Sequence, residues 1–158
     1  MANERYAELA AEALHAFVVA GIDAALSGVE TAQGLTAGSI RRPVAVVRAR
    51  AAARDNRSPL VAVFWNQLRP LSQREGLVEV DCTIVVQLVA STAASTEPLE
   101  ADHARYMTAI LDMIRDDPHL SGRVVAALWT DADADAGIGD NSTTRLVSAV
   151  GIAVRVAT

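Results

Sequence analysis

Residues 77–90 read LVEVDCTIVVQLVA. Val78, Val80, Cys82, Ile84 and Val86 alternate with Glu79, Asp81 and Thr83 before the run turns wholly apolar. That period of two belongs to a long strand with one face toward a core. Just upstream, PLVAVFW (59–65) is rich in β-branched and aromatic residues and is bounded by Pro59 and by the polar run NQLRPLSQREG, so it reads as a second strand. The eleven residues 66–76 between them predict a β-hairpin with a protruding loop.

Working outward, the apolar residues Leu9, Ala13, Leu14, Phe17, Val18, Ile22 and Ala25 recur at helical steps from Asn3 to about Leu26. Asn3 is placed to cap this helix, and the early glutamates suit the positive end of its dipole. Residues 27–43, SGVETAQGLTAGSIRRP, read as a loop. The following VAVVRARAAARD fits a short edge strand better than a helix, although Ala51 to Asp55 would also extend a helix. Downstream, Glu97-Pro98 opens a second helix with its buried stripe on Leu99, His103, Tyr106, Met107, Ile110, Leu111 and Ile114. Val124 to Trp129 reads as a short strand, and TRLVSAVGIAVRV (144–156) as a closing one. In that strand Leu146, Ser148, Val150, Ile152, Val154 and Val156 share a face. The expected architecture is α+β, a mixed and mainly antiparallel sheet of about four to five strands with two helices on it, in a single domain over 1–158.

Composition narrows the function classes. The net charge of -5 carries no basic block, which argues against affinity built on phosphate neutralisation and hence against nucleic-acid recognition. All fourteen cationic side chains are Arg. That is either a compositional habit or a sign of interface duty, since guanidinium groups make forked pairs with carboxylates at protein contacts. Cys82 is the one cysteine and reads as a small core hydrophobe. Acidic residues near the N-terminus argue against a signal peptide, and no stretch approaches 18 uninterrupted apolar residues, so a soluble chain, intracellular when made, with no membrane partner is expected.

Residues 131–142, DADADAGIGDNS, pose the question of a metal. A helix-loop-helix calcium site needs ligands at loop positions 1, 3 and 5, Gly at 6 and Glu at 12. Asp131, Asp133 and Asp135 fit, but Ala136 takes the glycine place, Ser142 takes the glutamate place, and both flanks read as strands. A charged link between strands is the better reading, with a calcium-binding interaction module as the alternative. No nucleophile elbow, HExxH, CxxC, phosphate loop or dinucleotide fingerprint is present, and His15, His103 and His119 fall in separate elements. Neither an enzyme nor a cofactor is expected.

The order of elements resembles that of tailed-phage tail terminators (minor tail protein U-like), found at the head-proximal end of long non-contractile tails. Three stretches carry the resemblance: SPLVAVFW with its loop and LVEVDCTIVVQLVA; EADHARYMTAILDMIRDDPHLSG; and DADADAGIGDNSTTRLVSAVGIAVRV. It covers roughly residues 59–156 and leaves 27–58 unassigned. The resemblance implies a structural virion protein, assembled in the host cytoplasm, that closes into a ring, expected to be a hexamer. It would cap the tail tube, end its polymerisation and meet a head-side stopper or connector; a related neck or head-completion protein is the neighbouring alternative. On this reading two stretches project and touch neighbours or the tube: 66–76, with Asn66, Gln67, Arg69, Gln73, Arg74 and Glu75, and 131–142, with Asp131, Asp133, Asp135 and Asp140.

Overall fold

The computed structural model of the protein describes residues 2–49, 57–72, 76–91, 97–138 and 143–158. In chain order these form α1 (Ala2–Ala32), β1 (Ala45–Val47), β2 (Leu60–Ser72), β3 (Leu77–Ser91), α2 (Glu97–Asp116), β4 (Ala126–Ile138) and β5 (Thr143–Ala157). The five strands make one sheet in the order β1-β2-β3-β5-β4. Only β1 and β2 run parallel, and every other pair is antiparallel. This is the α+β fold expected from the alternation in residues 77–90.

The central pair sets the register. Val78, Val80, Cys82 and Ile84 of β3 stand beside Val156, Val154, Ile152 and Val150 of β5, all on one face and all buried. Leu14, Val18, Ile22 and Leu26 of α1 and Tyr106, Ile110 and Ile114 of α2 join them in a single core cluster. Both helices therefore cover the same face of the sheet. Each such side chain gives about 1.5–3 kcal/mol when withdrawn fully from water, so this seam is the main source of stability. Cys82 packs here as expected; burial pushes its thiol up to about 12, so it stays protonated and inert.

Two features of α1 differ from expectation. Asn3 lies inside the helix rather than capping it, and the helix runs six residues past Leu26 to Ala32, into the stretch read as loop. Its end is fixed locally: Gly34 takes a φ of 67°, Leu35 N–H donates to Glu30 C=O and Gly34 N–H to Thr31 C=O, the paired bonds of a Schellman stop. Over Glu4–Ala32 the helix is long and apolar enough to cross a membrane by length and composition alone. In the fold its apolar stripe, from Ala7 to Val29, is buried against the sheet and α2.

The return from α1 to β1 is held by an ion pair whose carboxylate is buried and whose guanidinium is partly exposed. Glu30, whose side chain is 3% exposed, accepts from Arg42 through both carboxylate oxygens and from the Ile40 N–H at 2.9 Å. These bonds hold its carboxyl down at about 2, well below the usual carboxylate range.

Ser148 sits on the core face of β5, fully buried opposite Val86, and its hydroxyl has no hydrogen-bond partner among the described residues. A buried hydroxyl without a partner keeps its desolvation cost uncompensated. Ser148→Ala is therefore expected to raise the unfolding free energy by roughly 1 kcal/mol in urea titration; a loss of stability would mean the hydroxyl bonds in a way the packing does not reveal.

Candidate functional site: the open face and edges of the sheet

With both helices on one side, the opposite face of the sheet is the surface left for partners. It carries Phe64, Gln67 and Arg69 from β2, Glu79, Asp81, Thr83 and Val85 from β3, Val147, Ala149, Gly151 and Arg155 from β5, and Asp131 and Asp133 from β4. Leu60, Ala62 and Gln87 lie on the same face at the β1 end, where they are buried; Gln87 there donates to the Arg57 carbonyl.

Asn66, Gln67 and Arg69 are in strand β2, not in a projecting loop: β2 continues to Ser72. The cause is a β-bulge. Trp65 pairs with Cys82 and Gln67 with Asp81, so Asn66 is the extra residue. One extra residue reverses the facing of everything after it. Trp65 consequently faces α1, where its indole N–H donates to Glu8 at 3.2 Å, whereas Gln67 and Arg69 face outward. Asn66 bonds the Thr83 hydroxyl. Arg69 reaches Asp81 at 2.7 Å and Glu79 at 3.4 Å, and Arg155 reaches Glu79 from the other side at 3.2 Å. Each such surface pair is worth only ~0–1 kcal/mol, so the group is better suited to recognition than to stability. Gln73, Arg74 and Glu75 lie outside the described residues.

The aspartates behave in a parallel way. Asp131, Asp133 and Asp135 belong to strand β4, which runs on to Ile138, rather than to a link after Trp129. A second bulge between Trp129 and Asp131 again switches faces: Trp129 pairs with Ile152 on the helix side, and Asp131 with Gly151 on the open side. A Cβ at position 151 would collide with the Asp131 side chain, so glycine there is what lets the aspartate lie over β5. Asp131 and Asp133 are both exposed and sit about 7 Å apart along the strand. The Thr130 hydroxyl donates to Asp131 at 2.9 Å. Asp140 lies outside the described residues. Among the described residues no group of three His, Cys, Asp or Glu is arranged to hold a metal ion.

The two predicted stretches do not converge. They lie on opposite borders of one sheet, three strand spacings or about 14 Å apart at the least. β4 is the last strand on one side. On the other side β1 pairs only with Leu60–Ala62, so β2 from Val63 to Ser72 has no strand beyond it among the described residues. Sequence reasoning missed the partners Glu79, Asp81 and Arg155, although their alternation with core residues marks them as outward-facing. It also missed the apolar group at the start of β4, Val125, Leu128 and Trp129, exposed at 42%, 51% and 52%.

Elsewhere, a cleft of about 420 Å³ lies on the helix side between α1 and the ends of β5 and the α2–β4 connection, lined by Leu9, Ala13, Ala16, Val124 and Val156, with Glu12 and Arg123 as its charged groups. None of the predicted site residues lines it. The histidines serve the fold: His15 Nε2 meets Val46 C=O, His119 Nδ1 meets Val125 C=O, and His103, 3% exposed, meets Leu146 C=O at 2.9 Å. No protein-family model matches this chain, and no curated protein matches it.

Proposed function

We propose that this chain is a structural virion subunit that assembles side by side into a ring, capping the tube of a non-contractile phage tail, ending its polymerisation and presenting a joining surface to the head. The supporting observation is the one-sided layering. Among the described residues both helices lie on one face of the sheet, while most of the other face and the outer border of β4 carry no further element. A ring needs two different complementary patches on each subunit, closed by rotation. The charged group around Arg69 on the open face and the exposed apolar side chains Val125, Leu128 and Trp129 at the start of β4 are two such patches of different chemistry. The resemblance of residues 59–156 to tail terminators supplies the particular role.

The test is assembly. Purified protein should form a discrete ring by light scattering, alone or on contact with the tail-tube protein encoded in the same genome. Added to polymerising tube subunits at equimolar ends, it should shorten the tubes severalfold in electron micrographs and leave a cap on one end. A protein that stays monomeric with tubes present, and leaves their length distribution unchanged, sinks the reading.

A further inference from the structure

Beyond the ring reading and independent of it, we infer that two copies of the chain pair about a twofold axis through the outer face of α1, the two helices antiparallel and meeting level with Leu14. The first observation is an excess of apolar surface. Over Glu4–Ala32 the helix is apolar enough to cross a membrane by composition, yet only 39% of its most apolar stretch is buried in the fold. A helix that is apolar on every side is one covered on every side. Leu9 and Val19 stand on the uncovered side, 41% and 53% exposed, with Ala16 half-buried between them.

The second is spacing. Arg5, Leu9, Glu12, Ala16, Val19 and Asp23 recur at steps of four and three residues, the period of a seam between helices. At about 3.6 residues per turn they fall in one band, roughly 140° round the helix from the core stripe of Ala7, Leu14, Val18 and Ile22. From Arg5 to Asp23 the band is about 27 Å long.

The third is charge, which fixes the direction. Laid antiparallel, the band matches itself: Arg5 meets Asp23, Leu9 meets Val19 and Glu12 meets Ala16, each pair twice. A parallel pair would set Arg5 on Arg5 and Asp23 on Asp23, and such like-charge contacts exclude wrong arrangements. Neither Arg5 nor Asp23 is in an ion pair among the described residues; Arg42 feels the charge of Asp23 but is bound to Glu30. Glu12 is bound within its own subunit by Arg48 at 2.8 Å, which limits repulsion between its two copies near the axis.

Leu9, Ala13 and Ala16 also form one wall of the cleft beside Val124 and Val156, and the antiparallel register brings Val19 of the second copy to its mouth. The same patch serves both subunits, so the contact stops at two. It also leaves the open face of the sheet free. A band of this length buries less than a standard interface, so pairing should be micromolar and concentration-dependent.

The experiment is sedimentation velocity between about 1 and 100 μM, with circular dichroism melting to confirm that every variant folds. Wild type should shift from monomer toward dimer across that range. Val19→Lys should weaken pairing at least roughly tenfold. Arg5→Asp and Asp23→Arg should each weaken it severalfold, most at low salt, and the chain carrying both should recover it because opposite charges again meet across the axis. Should Val19→Lys fail to fold, Val19→Ser replaces it, with a smaller loss of pairing expected. Wild type that stays monomeric at the top of the range overturns the inference. So do oligomers indifferent to the Val19 substitution, or a doubly exchanged chain that pairs no better than either single variant.

Discussion

Tyr106→Ala lowers the unfolding free energy by about 4 kcal/mol in urea titration, the largest loss expected from any single truncation in the molecule. Tyr106 is fully buried on the core face of α2, and its hydroxyl donates to the Arg41 carbonyl, in the connection between α1 and β1. Removing the ring opens a cavity among residues from both helices and the sheet, and it also strands that carbonyl. Burial pushes the phenol well above its ordinary range, so it remains a donor at every pH where the protein is handled. Tyr106→Phe separates the two contributions: it keeps the ring and should cost about 1–2 kcal/mol, the loss of one buried bond. If the phenylalanine variant falls as far as the alanine variant, the ring is not filling the core and the placement of α2 over the sheet is wrong.

The alternation in residues 77–90 was sufficient to find the sheet's centre, because a strand buried on one face writes its register directly into the sequence. The same holds for β5, whose six core-facing residues from Leu146 to Val156 are all buried. What could not be read was the continuation of β2 and β4. In both, an apolar run ends in a polar one at a bulge, and the bulge inverts the parity that sequence reading relies on. If β4 held a regular period of two, Asp131 and Asp133 would point with Trp129 toward the helices, a costly position for carboxylates. A strand end at Trp129 is then the natural inference. One extra residue at Thr130 removes the conflict, and nothing in the local composition announces it. Pro70 misleads in the same way, since proline argues against a central strand but not against one paired on a single side, as β2 is at Pro70 among the described residues.

The candidate site was legible as two charged stretches and not as a geometry. Placing them on opposite borders depends on β5 entering the sheet between β3 and β4, and on β1 being only three residues long. Neither fact follows from local periodicity. The same order explains why Glu79 and Arg155, which touch at 3.2 Å, are 76 positions apart in the chain.

Glu30→Gln is the second substitution expected to act strongly, and its effect should depend on pH in a direction the structure fixes. The carboxylate accepts three charged or backbone donors in a site almost closed to water, so a neutral amide leaves the Arg42 guanidinium without its counter-charge. At pH 7 the melting temperature should fall on the order of 5–10 °C. The folded protein holds this carboxyl at about 2 against an ordinary 4.5, so the unfolded chain takes up the proton first as the medium is acidified. The stabilisation is accordingly whole above about pH 4.5 and lost progressively as the pH falls toward 2. Wild type and variant should differ most near neutrality and converge at the acid end. His103 adds to the acid sensitivity of both proteins equally. Desolvation lowers its value below the ordinary 6.5, partly offset by its bond to Leu146 C=O, so the folded state also weakens as the pH drops below about 6.5. Melts at pH 7, 5 and 3 would show both effects: a shared decline from His103 first, then a narrowing of the gap between the two proteins. A gap that stays constant down to pH 3 would mean that Glu30 does not hold its charge through Arg42 and the Ile40 amide.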